Sequence, residues 1–221
     1  MIRRSYLICT TPRSGSNFLC EALRGTGVAG RPDEYFWNRA FWLEGWGVSD
    51  GADFVARMLL EGTGPNGVFG SKLTWQQVPE ATALIDQRLP NLHYVWLRRL
   101  DKVRQGISFY RALETKRWRS TDTSALGEPE FDFAAIQRLV QLSGWEDEAW
   151  SDYFEQRAVA PLELTYEELA QAPHAAVGQI LIFLGIAEPR RTELEEQWRH
   201  QRQADSLTED WVVRYQAEAR Q

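Results

Sequence analysis

The stretch "YLICTTPRSGSNFLCEALR", from Tyr6 to Arg24, constrains the fold more than any other part of the chain. It opens on an apolar run, Tyr6 to Thr10, and passes through a turn of small polar residues. It then carries Phe18, Leu19, Ala22 and Leu23 at helical spacing. A strand, a tight turn and an amphipathic helix are therefore expected in that order, the helix beginning after Gly15 and ending near Gly25 and Gly27. Such a turn presents the first amides of a helix at the carboxyl end of a strand, where an anion can be held. The plainer reading is an ordinary polar strand-to-helix turn.

Three further apolar runs, Val68 to Leu73, Leu92 to Leu97 and Leu162 to Thr165, read as buried strands. Helical patterns lie between them: one from about Pro79 to Arg88, one capped by Asp101 and carrying Val103, Ile107, Tyr110 and Leu113, and a long one from Phe131 to Phe154. The stretch "TYEELAQAPHAAVGQILIFLGI" reads as a short helical turn, a break at Pro173 and a final apolar helix. Strands alternating with helices imply an α/β fold, a three-layer sandwich with a central, mostly parallel sheet flanked by helices on both faces. No repeat or Pro/Gly/Ser linker divides the 221 residues, so a single domain over 1–221 is expected. Within it, Asn38 to Asn66 is rich in Trp, Gly and acidic residues and predicts an insertion or lid with one helix at Phe54 to Leu60.

A formal charge of −6 disfavours a nucleic-acid binder, so any anion site must be local. The N-terminal apolar run is too short for a signal-peptide core or a membrane span, which predicts a cytoplasmic protein. Cys9 and Cys20 form no CxxC pair and His93, His174 and His200 are far apart, so no metal site is expected and both thiols read as packed and reduced. Ten tryptophans are many for this length. Most should be core, but Trp75 and Trp118 could stack on a sugar.

The turn itself departs from the nucleotide-triphosphate pattern G-x-x-x-x-G-K-[ST]. Gly15 is followed by Ser16 rather than Lys, and Thr10 stands where the first Gly belongs. What remains is a cradle of amides from Ser14 to Asn17, hydroxyls on Ser14 and Ser16, and the planar donors of Arg13.

At four separated places, in order, the chain resembles the trehalose 2-sulfotransferase family: "TTPRSGSNFLCEALRGTGVAGRPDEYF", "PNGVFGSKLTW", "RRLDKVRQGISFYRALETKRW" and "RQADSLTEDWVVRY". The resemblance implies a P-loop-like fold and transfer of a sulfuryl group from 3′-phosphoadenosine 5′-phosphosulfate (PAPS) to a hydroxyl, without a metal. It implies that Arg13, Ser14, Gly15, Ser16 and Asn17 hold the 5′-phosphosulfate end, Asn17 standing where Thr is usual. The 3′-phosphate falls to Arg98 or Arg99 with Ser108; the resemblance favours Arg99. Arg202 resembles a basic segment that closes over the nucleotide. Of the adjacent carboxylates Asp33 and Glu34, the resemblance selects Glu34 as general base; if the chain is extended there, the two point to opposite sides. Lys72 follows a strand and would meet the transferred sulfonate or shape the acceptor cleft. The acceptor is expected to be a small molecule, a sugar or glycoside, and the segments 38–66 and 120–132 carry little of the resemblance. Homodimers occur in that family, and aromatic area in the Trp-rich insertion would support one.

Overall fold

The computed structural model describes residues 1–37, 39–49, 51–118, 122, 126–127, 129–187 and 206–220. Its centre is β1 (Arg4–Thr10), hydrogen-bonded on one side to β2 (Val68–Thr74) and on the other to β3 (Leu92–Arg98), with β4 (Leu162–Thr165) beyond β3. All three pairings are parallel, giving the order β2-β1-β3-β4. The register sets Tyr6 opposite Gly70, where a Cβ would stand 2.6 Å from the Tyr6 ring. Gly70 thus leaves room for this ring, whose hydroxyl donates to the Ala29 carbonyl at 2.7 Å.

Period-two alternation along β1 divides the core. Tyr6 and Ile8 pack with Phe18, Leu19 and Leu23 of α1 (Ser16–Gly25), Leu169 of α7 (Tyr166–Gln171), and Val177, Ile180 and Leu181 of α8 (Pro173–Phe183). Leu7 and Cys9 face the opposite layer: Phe54 and Met58 of α3 (Ala52–Gly62), Leu84 and Ile85 of α4 (Val78–Arg88), and Trp150, Tyr153 and Phe154 of α6 (Phe133–Gln156). A third cluster joins Ile107 of α5 (Lys102–Thr115) to Ile136 of α6 and to Trp211, Val212 and Tyr215 of α9 (Ser206–Glu218). The four expected strands and the three-layer arrangement are present.

Several elements differ from expectation. The apolar helix through Ile180 is not the last one, because α9 follows and closes the third cluster with Trp211, Val212 and Tyr215. Pro173 opens α8 rather than only breaking the chain, as suits a residue with no amide hydrogen to lose. The segment 38–66 holds two helices: α3 buries Phe54 and Met58 completely, whereas α2 (Arg39–Trp46) buries no residue. Asp101 caps α5 as expected, accepting from the Arg104 amide at 2.9 Å. Both cysteines are buried and free, and burial pushes the Cys20 thiol up to about 12 and the Cys9 thiol higher than its ordinary value. Among the described residues no helix is long and apolar enough to cross a membrane, and no group of three or more His, Cys, Asp or Glu comes together.

Candidate active site

The carboxyl ends of β1, β2 and β3 converge on the turn after β1. Thr10, Thr11 and Ser14 are fully buried there. Thr10 Oγ1 donates to the Leu97 carbonyl of β3 at 2.9 Å, and its own carbonyl accepts from Trp150 Nε1 of α6 at 3.1 Å. The turn then reverses through two left-handed residues, Arg13 (φ 65°) and Gly15 (φ 84°), before α1 takes its first bond from Leu19 N–H to the Gly15 carbonyl. The preceding amides are the ones a helix start leaves to a ligand or solvent. Gly15 is required twice over: its φ disfavours a side chain, and a Cβ would stand 2.6 Å from the ring of Tyr166.

Arg13 leaves this turn toward α5. Its Nε donates to Ser108 Oγ at 3.0 Å and its Nη1 to the Trp118 carbonyl at 2.5 Å. Arg99, at the end of β3, donates from Nη1 to the Arg13 carbonyl at 3.2 Å and lies over the Tyr166 ring, 4.5 Å from its centroid. Its Nε is buried and has no hydrogen-bond partner. Burial first, then the nearby Arg99 charge, lowers the Arg13 guanidinium to about 10, and burial lowers Arg99 as well. Two partly desolvated cations beside a helix start make a place that favours a multiply charged anion.

Arg98 points elsewhere. It lies 3.4 Å from Asp147 and 3.7 Å from Glu163, over the Trp96 ring. Arg99 thus reaches the turn at the Arg13 carbonyl and Ser108 at the Arg13 guanidinium, whereas Arg98 belongs to a salt bridge on α6. Arg202 lies outside the described residues.

On the other side of the turn, β2 delivers Lys72. Its side chain is 5% exposed, and Nζ meets Glu34 Oε2 at 2.7 Å and Asn17 Oδ1 at 2.8 Å. Gln77, in the 3₁₀ turn Trp75–Gln77 after β2, donates to Glu34 Oε1 at 3.3 Å. Glu34 thus has both oxygens oriented by donors, one on β2 and one on the 3₁₀ turn that follows it. Asp33 faces away, paired with Arg24 at 2.8 Å, while its backbone carbonyl accepts from the Lys72 amide at 2.9 Å. Opposite directions for adjacent side chains were expected of an extended segment. Asp33 forms an ion pair with Arg24 of α1.

Two groups escaped the sequence. Gln105 of α5, fully buried, donates to Thr11 Oγ1 at 2.7 Å and to the Pro12 carbonyl at 2.8 Å, although nothing in "DKVRQG" marks it beyond its place one turn after the β3 end. Trp37 is closed into a turn by its amide bond to the Glu34 carbonyl at 3.1 Å, and its ring lies 6.4 Å from that of Trp118. Trp75 packs edge-on against Trp150 and Trp145.

A family model described as Stf0 sulphotransferase matches residues 5–218, nearly the whole chain. The chain is a member of the Stf0 sulphotransferase family. This sulfotransferase is 30% identical, over 98% of its length and 96% of theirs, to a trehalose 2-sulfotransferase of Mycobacterium tuberculosis (strain ATCC 35801 / TMC 107 / Erdman). It is 29% identical to that of Mycolicibacterium smegmatis (strain ATCC 700084 / mc(2)155), over 97% and 95%. Among solved structures, it shares the fold of a sulfotransferase domain from the curacin biosynthetic pathway (TM-score 0.58, 18% identity, 96% of this chain and 83% of that one). It shares it also with a sulfotransferase from Alicyclobacillus acidocaldarius (TM-score 0.52, 15% identity, 100% and 97%). The P-loop-like fold and membership of the sulfotransferases stand on these matches.

Proposed function

We propose that this enzyme moves the sulfuryl group of PAPS to a hydroxyl of a carbohydrate or similarly polar small molecule, by in-line transfer with Glu34 as general base. One observation carries the reading: Lys72 holds both Glu34 and Asn17, so a carboxylate and the start of α1 are fixed on one ammonium at the mouth of the anion turn. The donor fits the residues present, since the partnerless Nε of Arg99 and the desolvated Arg13 beside the helix start suit a ligand with charge at two places. PAPS supplies the sulfuryl group when bound. Arg13, Ser14, Gly15, Ser16 and Asn17 would hold its 5′ end, and Arg99 with Ser108 its 3′-phosphate.

Glu34 accepts the proton of the acceptor hydroxyl as that oxygen bonds to sulfur, which keeps the nucleophile from carrying a proton into the product. Arg13 meets the negative charge that develops on the oxygen from which sulfur departs. Lys72 orients Glu34 and places a positive charge beside the transferred group. The acceptor class is supported by the names of the mycobacterial relatives and by the Trp37–Trp118 pair next to Glu34. A cytoplasmic location is supported by two buried thiols left free.

Calorimetry of 3′-phosphoadenosine 5′-phosphate (PAP) against ADP tests the donor. Wild type should bind PAP far more tightly, and Arg99→Ala should weaken PAP by about 10- to 100-fold, the scale of a lost charge-assisted pair, with little change for ADP. Equal affinity for the two nucleotides would leave a nucleotide-binding protein without a sulfuryl donor. Given PAP selectivity, an acceptor screen with Glu34→Gln as control tests the base.

A further inference from the structure

Behind the anion turn, α6 sends a buried carboxylate toward α5. Asp147 is 5% exposed at its side chain and accepts from Lys102 Nζ at 2.6 Å, with Arg98 Nε at 3.4 Å. Lys102 Nζ also donates to Gln105 Oε1 at 3.2 Å. The amide nitrogen of Gln105 donates in turn to Thr11 Oγ1 and to the Pro12 carbonyl.

The direction of this chain follows from donor and acceptor inventory. An ammonium only donates, so Lys102 can be satisfied by Gln105 only through the amide oxygen. That choice leaves the amide nitrogen facing the turn, where the Pro12 carbonyl can only accept. Reversing the amide would set two oxygens together at Pro12 and an NH₂ group against an ammonium. Lys102 therefore selects the orientation of Gln105, and Asp147 holds Lys102 in place to do so. Pro12 has no amide hydrogen of its own and immediately precedes the left-handed Arg13, so its carbonyl is a natural point at which to pin the reversal of the chain.

We propose that Asp147, Lys102 and Gln105 form a positioning relay that fixes the anion turn for donor binding, none of the three touching the donor itself. The assignment rests on the donor reading above. It gives α6 a role in the reaction that the mechanism of transfer leaves unassigned.

The relay is tested with PAP on the full chain, recording affinity by calorimetry and folding by circular dichroism. Gln105→Met removes no charge and should stay folded while losing about tenfold in PAP affinity, as for one or two lost hydrogen bonds. Asp147→Asn should lose a similar factor, and the two together should lose little more than either alone, because they break one chain. Lys102→Arg, which keeps the charge, should recover most of the wild-type affinity where Lys102→Met does not. If Asp147→Asn fails to fold, the Gln105→Met and Lys102 variants decide alone. A folded Gln105→Met protein with wild-type affinity, or single losses that multiply in the double variant, overturns the relay. Wild-type protein that does not prefer PAP to ADP overturns the donor reading, and the relay with it.

Discussion

Gly15 shows how much one position can decide. Its φ of 84° costs an ordinary residue about 1–2 kcal/mol, and a Cβ there would also press on Tyr166 at 2.6 Å. Gly15→Ala should therefore keep the fold, with a melting temperature lowered by a few degrees, and lose PAP binding as the turn and the Tyr166–Arg99 stack are displaced. Unchanged PAP affinity in that variant would show that the turn tolerates the displacement. At this scale the sequence was informative wherever chemistry and position coincided. Arg13 to Asn17 followed a recognisable strand, and the opposed directions of Asp33 and Glu34 followed from an extended segment. Gln105 was illegible for a physical reason: its function depends on which way an amide is turned, and that is set by Lys102 and Asp147, which is 42 positions beyond it.

Elements divide into those that carry the sheet and those that lie outside the core. Phe54 and Met58 commit α3 to the core, whereas α2 has no buried residue and leaves Phe41 60% exposed. Met58→Ala should cost about 2–5 kcal/mol in urea unfolding, the usual range for emptying a core site. Phe41→Ser should stay within about 0.5 kcal/mol of wild type. A stability loss at Phe41 as large as that at Met58 would show that α2 is part of the core, against its expected place as a lid. Strands and long helices were legible because each buries a face with its own period, as in Tyr6 and Ile8 against Leu7 and Cys9. The helix α9 was missed although Trp211, Val212 and Tyr215 recur at helical spacing, since its partners, Ile107 and Ile136, lie on helices far earlier in the chain.

Across the whole molecule, pH acts through a carboxylate next to the relay. Glu146 is fully buried, bonded by Gln76 at 3.3 Å, and desolvation pushes its carboxyl from an ordinary 4.5 up to about 7, with Asp147 adding to the rise and Lys102 opposing it. A raised value in the folded state means that the folded protein holds a proton the unfolded chain releases. The associated stability is complete below about pH 4.5 and is lost as pH rises through about 7. Glu146→Gln, which keeps the acceptor oxygen for Gln76 and never ionises, should match wild type near pH 5. It should exceed it by on the order of 1–3 kcal/mol near pH 8, read from urea midpoints. A difference that does not change with pH would mean that Glu146 stays in one protonation state throughout.

The position of β1 at the centre of an all-parallel sheet also has a consequence for how the protein comes into being. The strand that leads into the anion turn precedes both of its neighbours in the chain, and β2 and β3 are encoded far downstream of it. At ribosomal speeds, the interval between the emergence of β1 and that of β3 is roughly 4 to 18 s. Until β2 emerges "YLIC" has two open edges, and the edge that β3 covers stays open for the whole interval. Parallel pairing across such separations is slow even for a finished chain, because the loops must close before the sheet rewards them. The segment that leads into the anion turn is thus the part of the sheet that waits longest for its partners.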